Sequence, residues 1–394
     1  MRLRDFGISA QRGFLSVFDP ADATFSGALA EIAETAMQLP DILPTGRVRA
    51  FLGQLPQMDL TEFCAEATLA EQRVAFVHYS FMVQAYVWGE PDAPTVLPAN
   101  LAVPMWQLAD ATGQQPLLSY ASYVLDNWGQ HDPNAGFDLD NVFMRQKFLG
   151  GQDEAWFVLV HVAIEATAGQ LLGQFPRLLQ AAEHADNTTM LSALTDMGDT
   201  WVRINAIFDR MPERCDPYVY FHRVRPWIHG WKDNPALGAG LIYEGVASTD
   251  AQPQSFRGQT GSQSSIVPAM DAALGLGHAD DPLRRYLDEL HIYRPPAHRE
   301  FIDALRTQSG VRNAVEHSGN SALIEAYNEC VQALSRFRTR HLEYAATYIN
   351  QQNRNAAGNA VDIGTGGTPF MKYLKKHRNE TRAQLLRDQL QVAG

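Results

Sequence analysis

The sequence predicts a mostly helical protein, a large helical domain preceded by a smaller N-terminal helical one. Three observations predict it. Between Leu323 and Ile349 the residues Leu323, Tyr327, Cys330, Leu334, Phe337, His341, Tyr344 and Tyr348 recur at steps of three and four, which lines them along one face of a helix of about seven turns. The stretch Trp156–Leu172 (WFVLVHVAIEATAGQLL) is apolar nearly all round, the composition of a central buried helix. Strand-like alternation is scarce, and no internal repeat is visible.

The elements follow in chain order. Residues 1–60 are short apolar pieces broken by Pro20, Pro40, Pro44 and Pro56, with one or two short helices expected around Ser26–Gln38. From Leu60 to Trp88 the pattern is helical, and Val74, Val77, Phe81, Ala85 and Trp88 share a face. Gly89–Pro104 reads as Pro-rich and extended, and Gln107–Trp128 as helix again. The polar, turn-rich Asp126–Phe137 (DNWGQHDPNAGF) marks a linker, so the domain boundary is placed near Asp138 and divides the chain into residues 1–138 and 139–394. In the larger part, Trp156–Leu172 carries His161 and Glu165 four residues apart on one side. Leu191, Leu194, Met197, Trp201, Ile204 and Phe208 mark the next amphipathic helix. Cys215–Pro235 is dense in aromatics and arginine, and the Gly-rich Phe256–Ser265 leads into an apolar helix through Ala269–Leu276. Pro295–Pro296 breaks the chain before Phe301–Leu305. Beyond Ile349, Asn353–Thr368 is a polar loop ending GTGGT, and Phe370–Leu390 reads as helix.

With 394 residues, 45% of them hydrophobic, the chain can bury a sizeable core. Forty-four acidic against 32 basic residues leave a net charge of −12, which argues against nucleic acid and anionic membranes as partners. An anionic ligand must therefore be held by local cations. Cys64, Cys215 and Cys330 are odd in number and far apart, which suggests neither a disulfide framework nor a thiolate zinc site. The start, MRLRDFGISAQRGFL, lacks an apolar signal-peptide core, and no window reaches the roughly 18 uncharged apolar residues of a membrane span. A cytoplasmic protein is the expectation.

Short catalytic motifs are absent: HExxH, paired CxxC, GxSxG and GxxxxGK[ST] do not occur. What stands out is His341, the one non-hydrophobe in the Leu323–Ile349 stripe. A buried imidazole without a partner costs roughly 1–3 kcal/mol, so it is either a hydrogen-bonded core residue or a metal ligand. Arg338 lies one turn before it. Haem needs an axial imidazole in an apolar pocket and cations for its propionates, and this pair supplies both kinds of group; a solvated helix edge would have the same spacing. In Tyr220–Trp231, Arg223 and Arg225 alternate with Tyr220, Phe221, Trp227 and Trp231, the mixture that binds a planar aromatic carrying a carboxylate, or simply packs a core. The run Gly364–Thr368 could turn several backbone N–H groups toward an anion, or be a linker.

Taken together the segments resemble the indoleamine 2,3-dioxygenase family. The likeness rests on VLPANLAVPMWQLA (Val96–Ala109), YASYVLDNW (Tyr120–Trp128), GWKDNP (Gly230–Pro235), LIYEG (Leu241–Gly245), GSQSS (Gly261–Ser265), PPAHREF (Pro295–Phe301), RHLEYAATYI (Arg340–Ile349) and GTGGT (Gly364–Thr368), in order over about residues 90–374. The resemblance implies a haem b held without covalent attachment, an indole substrate such as L-tryptophan, O2, and an external reductant that keeps the iron ferrous. It implies His341 as proximal iron ligand, with Arg338, Asp271 and Ser262 around the cofactor and an Asp271–Arg338 ion pair by a propionate. Arg225 matches the arginine that takes the substrate carboxylate, and Phe221 the aromatic against the indole. Tyr220, Tyr120, Phe157, Thr260 and Gly261 complete the expected substrate site, and Gly366, Gly367 and Thr368 form its closing loop. Two positions depart from the mammalian pattern: His161 stands where those enzymes have serine, and Tyr220 where they have phenylalanine. A distal His161 is similar to the arrangement in tryptophan 2,3-dioxygenases. It could accept the indole N–H, donate to bound oxygen, or act as a base, or it could be a core histidine turned away from the iron. The expected reaction inserts both atoms of O2 across the C2–C3 bond of the indole; mono-oxygenation or rearrangement of a substituted tryptophan and non-enzymatic haem binding are the alternatives.

Overall fold

The computed structural model describes residues 1–280, 282–352 and 370–387. Helices dominate it: α1 (Gly27–Met37), α2 (Leu69–Trp88), α3 (Ala99–Thr112), α4 (Gln152–Glu183), α5 (Asn187–Asp209), α6 (Ile266–Leu274), α7 (Pro282–His291), α8 (Pro296–Gln308), α9 (Ser321–Ala345) and α10 (Phe370–Ala383). Among the described residues, strands are reduced to two short pairs. β1 (Val96–Leu97) runs parallel to β4 (Ile242–Tyr243), and β2 (Trp128–Gln130) pairs antiparallel with β3 (Val142–Met144).

In the first part of the chain, α2 begins at a capping box. Thr68 Oγ accepts the Glu71 N–H at 3.3 Å while the Glu71 carboxylate accepts the Thr68 N–H at 2.9 Å. That cap splits the helical pattern expected from Leu60 into a short turn, Thr61–Glu66, and α2 proper. Two expectations are corrected next. Residues 89–104 are not extended throughout, because α3 begins at Ala99 behind an extended Pro98, with Pro104 inside the helix. A proline six residues in forgoes one backbone hydrogen bond, a cost that the buried Leu101, Ala102, Met105 and Leu108 around it offset. Nor does helix continue to Trp128: α3 stops at Gly113, whose φ of 64° closes the last turn, and Trp128–Gln130 enters a hairpin.

The larger part is a row of packed helices, α4 against α5, α5 against α9, and α9 against α10. The 32-residue α4 confirms the central buried helix read from Trp156–Leu172. By length and composition it could cross a bilayer, yet 72% of its most apolar window is buried inside the protein, so its apolarity serves the core. At Gly13, φ of 58° carries the N-terminal segment so close to α4 that a side chain there would collide with the Glu165 carbonyl. In α9 the expected stripe is the packed face: Leu323, Tyr327, Cys330 and Leu334 are fully buried, and Phe337, His341 and Tyr344 partly so. The helix α7 was not foreseen, although Leu283, Tyr286, Leu287 and Leu290 recur at helical spacing within its short charged sequence.

Among the described residues three π-helical turns accompany this regular frame, at Ala121–Leu125, Tyr220–Val224 and Ala346–Asn350. Their wider hydrogen-bonding pattern re-aims the side chains beside them, a device concentrated at functional sites. All three adjoin residues expected to bind cofactor or substrate. Buried hydrophobic residues from Ile8 to Leu386 form one contiguous cluster around them.

Candidate functional site

A cavity of about 580 Å3 opens where α4, α5, α6 and α9 meet the Gly261–Ser264 loop. His161 and Ile164 reach it from α4, Phe208 from α5, Val267 and Asp271 from α6, and Phe337, Arg338 and His341 from α9. Tyr120 closes it from the turn after α3, and Leu374 and His377 from α10.

His341 has no hydrogen-bond partner for either ring nitrogen among the described residues. Burial, reinforced by His161, pushes its pKa down to about 4, so it is neutral and keeps a lone pair at pH 7. The Phe208 ring stands 6.5 Å from the His341 ring and 6.4 Å from that of His161, so both imidazoles flank one phenyl and face one cavity. His161 differs in one respect. Its Nδ1 lies 2.7 Å from the Phe157 carbonyl one turn earlier, a contact that only an Nδ1–H tautomer makes favourable. Nε2 is thereby left as an acceptor, and burial lowers the pKa of the ring so that it stays one.

Behind His161, Glu165 is fully buried and accepts the Tyr120 hydroxyl and the Ser264 hydroxyl, both at 2.8 Å and both on Oε1. Burial outweighs those donors and raises its pKa to about 7. Gln263 ties the same wall together by accepting the Tyr120 N–H at 2.9 Å and donating to the Gly258 carbonyl at 3.0 Å. At the α9–α6 edge, Arg338 pairs with Asp271 at 2.6 Å and donates to Thr381 of α10. Although burial works against the charge, Arg338 and His278 hold the Asp271 carboxyl at about 2. His278 reaches Asp271 through Nε2 at 3.1 Å and Glu380 through Nδ1 at 3.0 Å. His278, His377 and Glu380 place ligand atoms within 4.8 Å of one another, a spacing a metal ion could use, but a protonated His278 bridging two carboxylates satisfies the same groups.

The expected site residues fall in two groups. Tyr120, His161, Gly261, Ser262, Asp271, Arg338 and His341 line the cavity. Phe157, Tyr220, Phe221 and Arg225 form an aromatic layer beside it: the Phe157 ring lies 4.8 Å from His161 and 4.8 Å from Tyr220, and the Arg225 guanidinium 5.4 Å over Phe221. Arg225 is wholly buried, and that burial lowers its pKa to about 10. Its neighbour Arg223 is exposed. Thr260 caps the turn that presents Gly261 and Ser262, accepting the Ser262 N–H at 3.4 Å. Gly366, Gly367 and Thr368 lie outside the described residues. Reading the sequence missed Ser264, His278 and Arg294 on the cavity wall. Ser264 sits inside the quoted GSQSS segment and Arg294 immediately precedes Pro295, but no spacing rule marks either.

Fold and cavity together define a class: a helical protein whose largely apolar pocket is bounded by the neutral imidazoles of His161 and His341, the second without a hydrogen-bond partner among the described residues, an arrangement that suits a planar iron cofactor. Known proteins narrow the class. The family model for indoleamine 2,3-dioxygenase matches residues 2–384. Indoleamine 2,3-dioxygenase 1 of Rattus norvegicus is 35% identical over 364 residues, covering 89% of this chain and 88% of the relative. Indoleamine 2,3-dioxygenase of Saccharomyces cerevisiae is 29% identical over 425 residues, covering 97% and 93%. A protein named myoglobin from Haliotis diversicolor is 27% identical over 387 residues, covering 97% and 98%. The chain belongs to the indoleamine 2,3-dioxygenase family and is an oxidoreductase of the dioxygenase type.

That family is haem-dependent and acts on indoles with O2. The residues present fit haem: the orphaned His341 imidazole offers an axial lone pair, Ile164, Phe208, Val267, Phe337 and Leu374 give apolar walls, and the volume is that of a cofactor site.

Proposed function

We propose that this enzyme binds haem b through His341 and inserts both atoms of O2 across the C2–C3 bond of L-tryptophan or a closely related indole, giving an N-formylkynurenine-type product. The observation that carries this reading is the pair His341 and His161, neutral and facing one apolar cavity across Phe208. Haem, when bound, supplies the oxygen-binding iron and the oxygen chemistry. The chain's own residues bind and orient. Arg225 takes the substrate carboxylate, and the buried Phe221 and Tyr220 with the partly buried Phe157 provide the apolar layer on which an indole ring packs. Tyr120 and Gly261 line the adjoining cavity, and Thr260 caps the turn that presents Gly261; Gly366, Gly367 and Thr368, which lie outside the described residues, are assigned to the amino-acid end of the substrate by the family resemblance alone.

His161 holds the indole N–H. With Nδ1–H donating to Phe157, Nε2 is an acceptor aimed at the cavity and suits a hydrogen bond from the indole nitrogen. Asp271 and Arg338 brace the cofactor edge through their ion pair. An external reductant keeps the iron ferrous, and the three free thiols Cys64, Cys215 and Cys330 accord with a reducing cytoplasm. We also divide the chain near Asp138 into a smaller domain and a larger helical one that carries His161 and His341.

His341→Ala protein is expected to retain little haem, and an unaltered Soret band at full occupancy would remove the axial assignment. The reaction is checked by mass spectrometry of the product formed from tryptophan under 18O2, where two labelled atoms in one organic product are expected. The similarity to a protein named myoglobin supports a second reading, haem binding without indole turnover. It predicts a Soret response to ligands of the iron and no consumption of tryptophan.

A further inference from the structure

Arg294 is a buried cation on the cavity wall that forms no ion pair with a carboxylate among the described residues. It is 3% exposed. Its Nε donates to the Ser264 carbonyl at 3.2 Å, one terminal nitrogen to the Ser262 carbonyl at 2.8 Å, and the other lies 3.3 Å from His291 Nδ1. All three partners are neutral acceptors, and among the described residues no carboxylate oxygen comes within 4.0 Å of the guanidinium. The charges around it are already committed: Arg284 pairs with Asp288 at 3.1 Å and Arg306 with Asp303 at 2.8 Å. Glu165 lies behind this wall, but its Oε1 takes the Tyr120 and Ser264 hydrogens and its carboxyl is held toward the neutral form. Arg338, the other arginine deep in this cavity, is engaged by Asp271. Asp288, Asp303 and Glu165 act on this charge only from beyond ion-pair distance; a buried, fixed guanidinium without a direct counter-ion is costly unless an anion is brought to it, and its planar fork is matched best by a carboxylate.

We propose that Arg294 is the anion anchor of this cavity and binds a propionate carboxylate of the haem. The inference rests on the haem reading above. Two backbone carbonyls from the Gly261–Ser264 loop hold the guanidinium in place, so the loop that borders the pocket also presets the position of the anchor. Losing a charge-assisted hydrogen bond to a carboxylate is expected to accelerate haem release by roughly ten- to a hundredfold.

The test compares wild-type, Arg294→Lys and Arg294→Gln enzymes, each loaded with haem b or with haem dimethyl ester, whose propionates carry no charge. Haem transfer to an excess of apomyoglobin is followed in the Soret band. With haem b, Arg294→Gln should lose cofactor roughly ten- to a hundredfold faster than wild type, and Arg294→Lys should fall between them. With the dimethyl ester the three proteins should release cofactor at the same rate. Equal acceleration with both cofactors would show that Arg294 only supports the loop and would overturn the proposal. So would unchanged haem release accompanied by weaker tryptophan binding, since the carboxylate would then be the substrate's. A wild-type protein that takes up neither cofactor would defeat the haem reading itself, an outcome distinct from both.

Discussion

At the scale of single residues, the chemistry turns on which nitrogen of His161 carries the proton. The Phe157 carbonyl holds it on Nδ1, so the ring meets the cavity as an acceptor and not as a donor. A group whose pKa is lowered by burial protonates only below the ordinary imidazole range, and protonation would abolish that acceptor. The acid limb of kcat/KM for tryptophan is therefore expected below pH 6.5, and in His161→Ala that limb should disappear along with much of the rate. An acid limb unchanged in His161→Ala would assign it to another group. Arg225 gives a second expectation at this scale. Its buried guanidinium is proposed to meet the substrate carboxylate, so Arg225→Ala should weaken tryptophan binding by about 1.5–3 kcal/mol, read as a ten- to hundredfold higher Kd in a Soret titration.

Among the elements, α10 is held to the body of the protein by polar groups as much as by packing. Arg338 of α9 donates to Thr381 of α10, and His278 joins Glu380 of α10 to Asp271 of α6. Burial disfavours the charge on His278, but the hydrogen bond and charge of Asp271 win and its pKa is raised. A histidine with a raised folded-state pKa lends stability that is complete below pH 6.5 and is lost as pH rises through the raised value. Amide exchange in α10 is thus expected to quicken from neutral toward alkaline pH beyond the intrinsic rise in exchange rate. His278→Gln should remove the extra dependence; an identical profile in that variant would place the docking energy elsewhere.

For the whole molecule, cofactor and fold are coupled because the cavity is built from elements distant in sequence. Tyr120, His161, Phe208, Asp271 and His341 come together only when α4, α5, α6 and α9 are packed. A ligand that binds this assembly and not the unfolded chain stabilises it by about 4 kcal/mol at a thousandfold excess over Kd. Apoprotein is accordingly expected to melt several degrees below holoprotein in calorimetry, with the gap shrinking in His341→Ala.

Local spacing determined much of this protein. The α9 stripe, the all-round apolarity of α4 and the placing of His341 and His161 on those helices follow from a 3.6-residue period that neighbouring side chains obey whatever surrounds them. The order of short segments determined the family. Elsewhere local signals were overruled or silent. Prolines before and within α3 suggested extended chain, yet burial of Leu101, Met105 and Leu108 outweighed one missing hydrogen bond. Only the tertiary structure decided that His161 and His341 share one cavity, that Phe157 sets the tautomer of His161, and that Arg294 has no ion-pair partner among the described residues. Those properties depend on burial and on partners tens to hundreds of residues away, where the dielectric and the neighbouring charges of a site are made and sequence spacing carries no information.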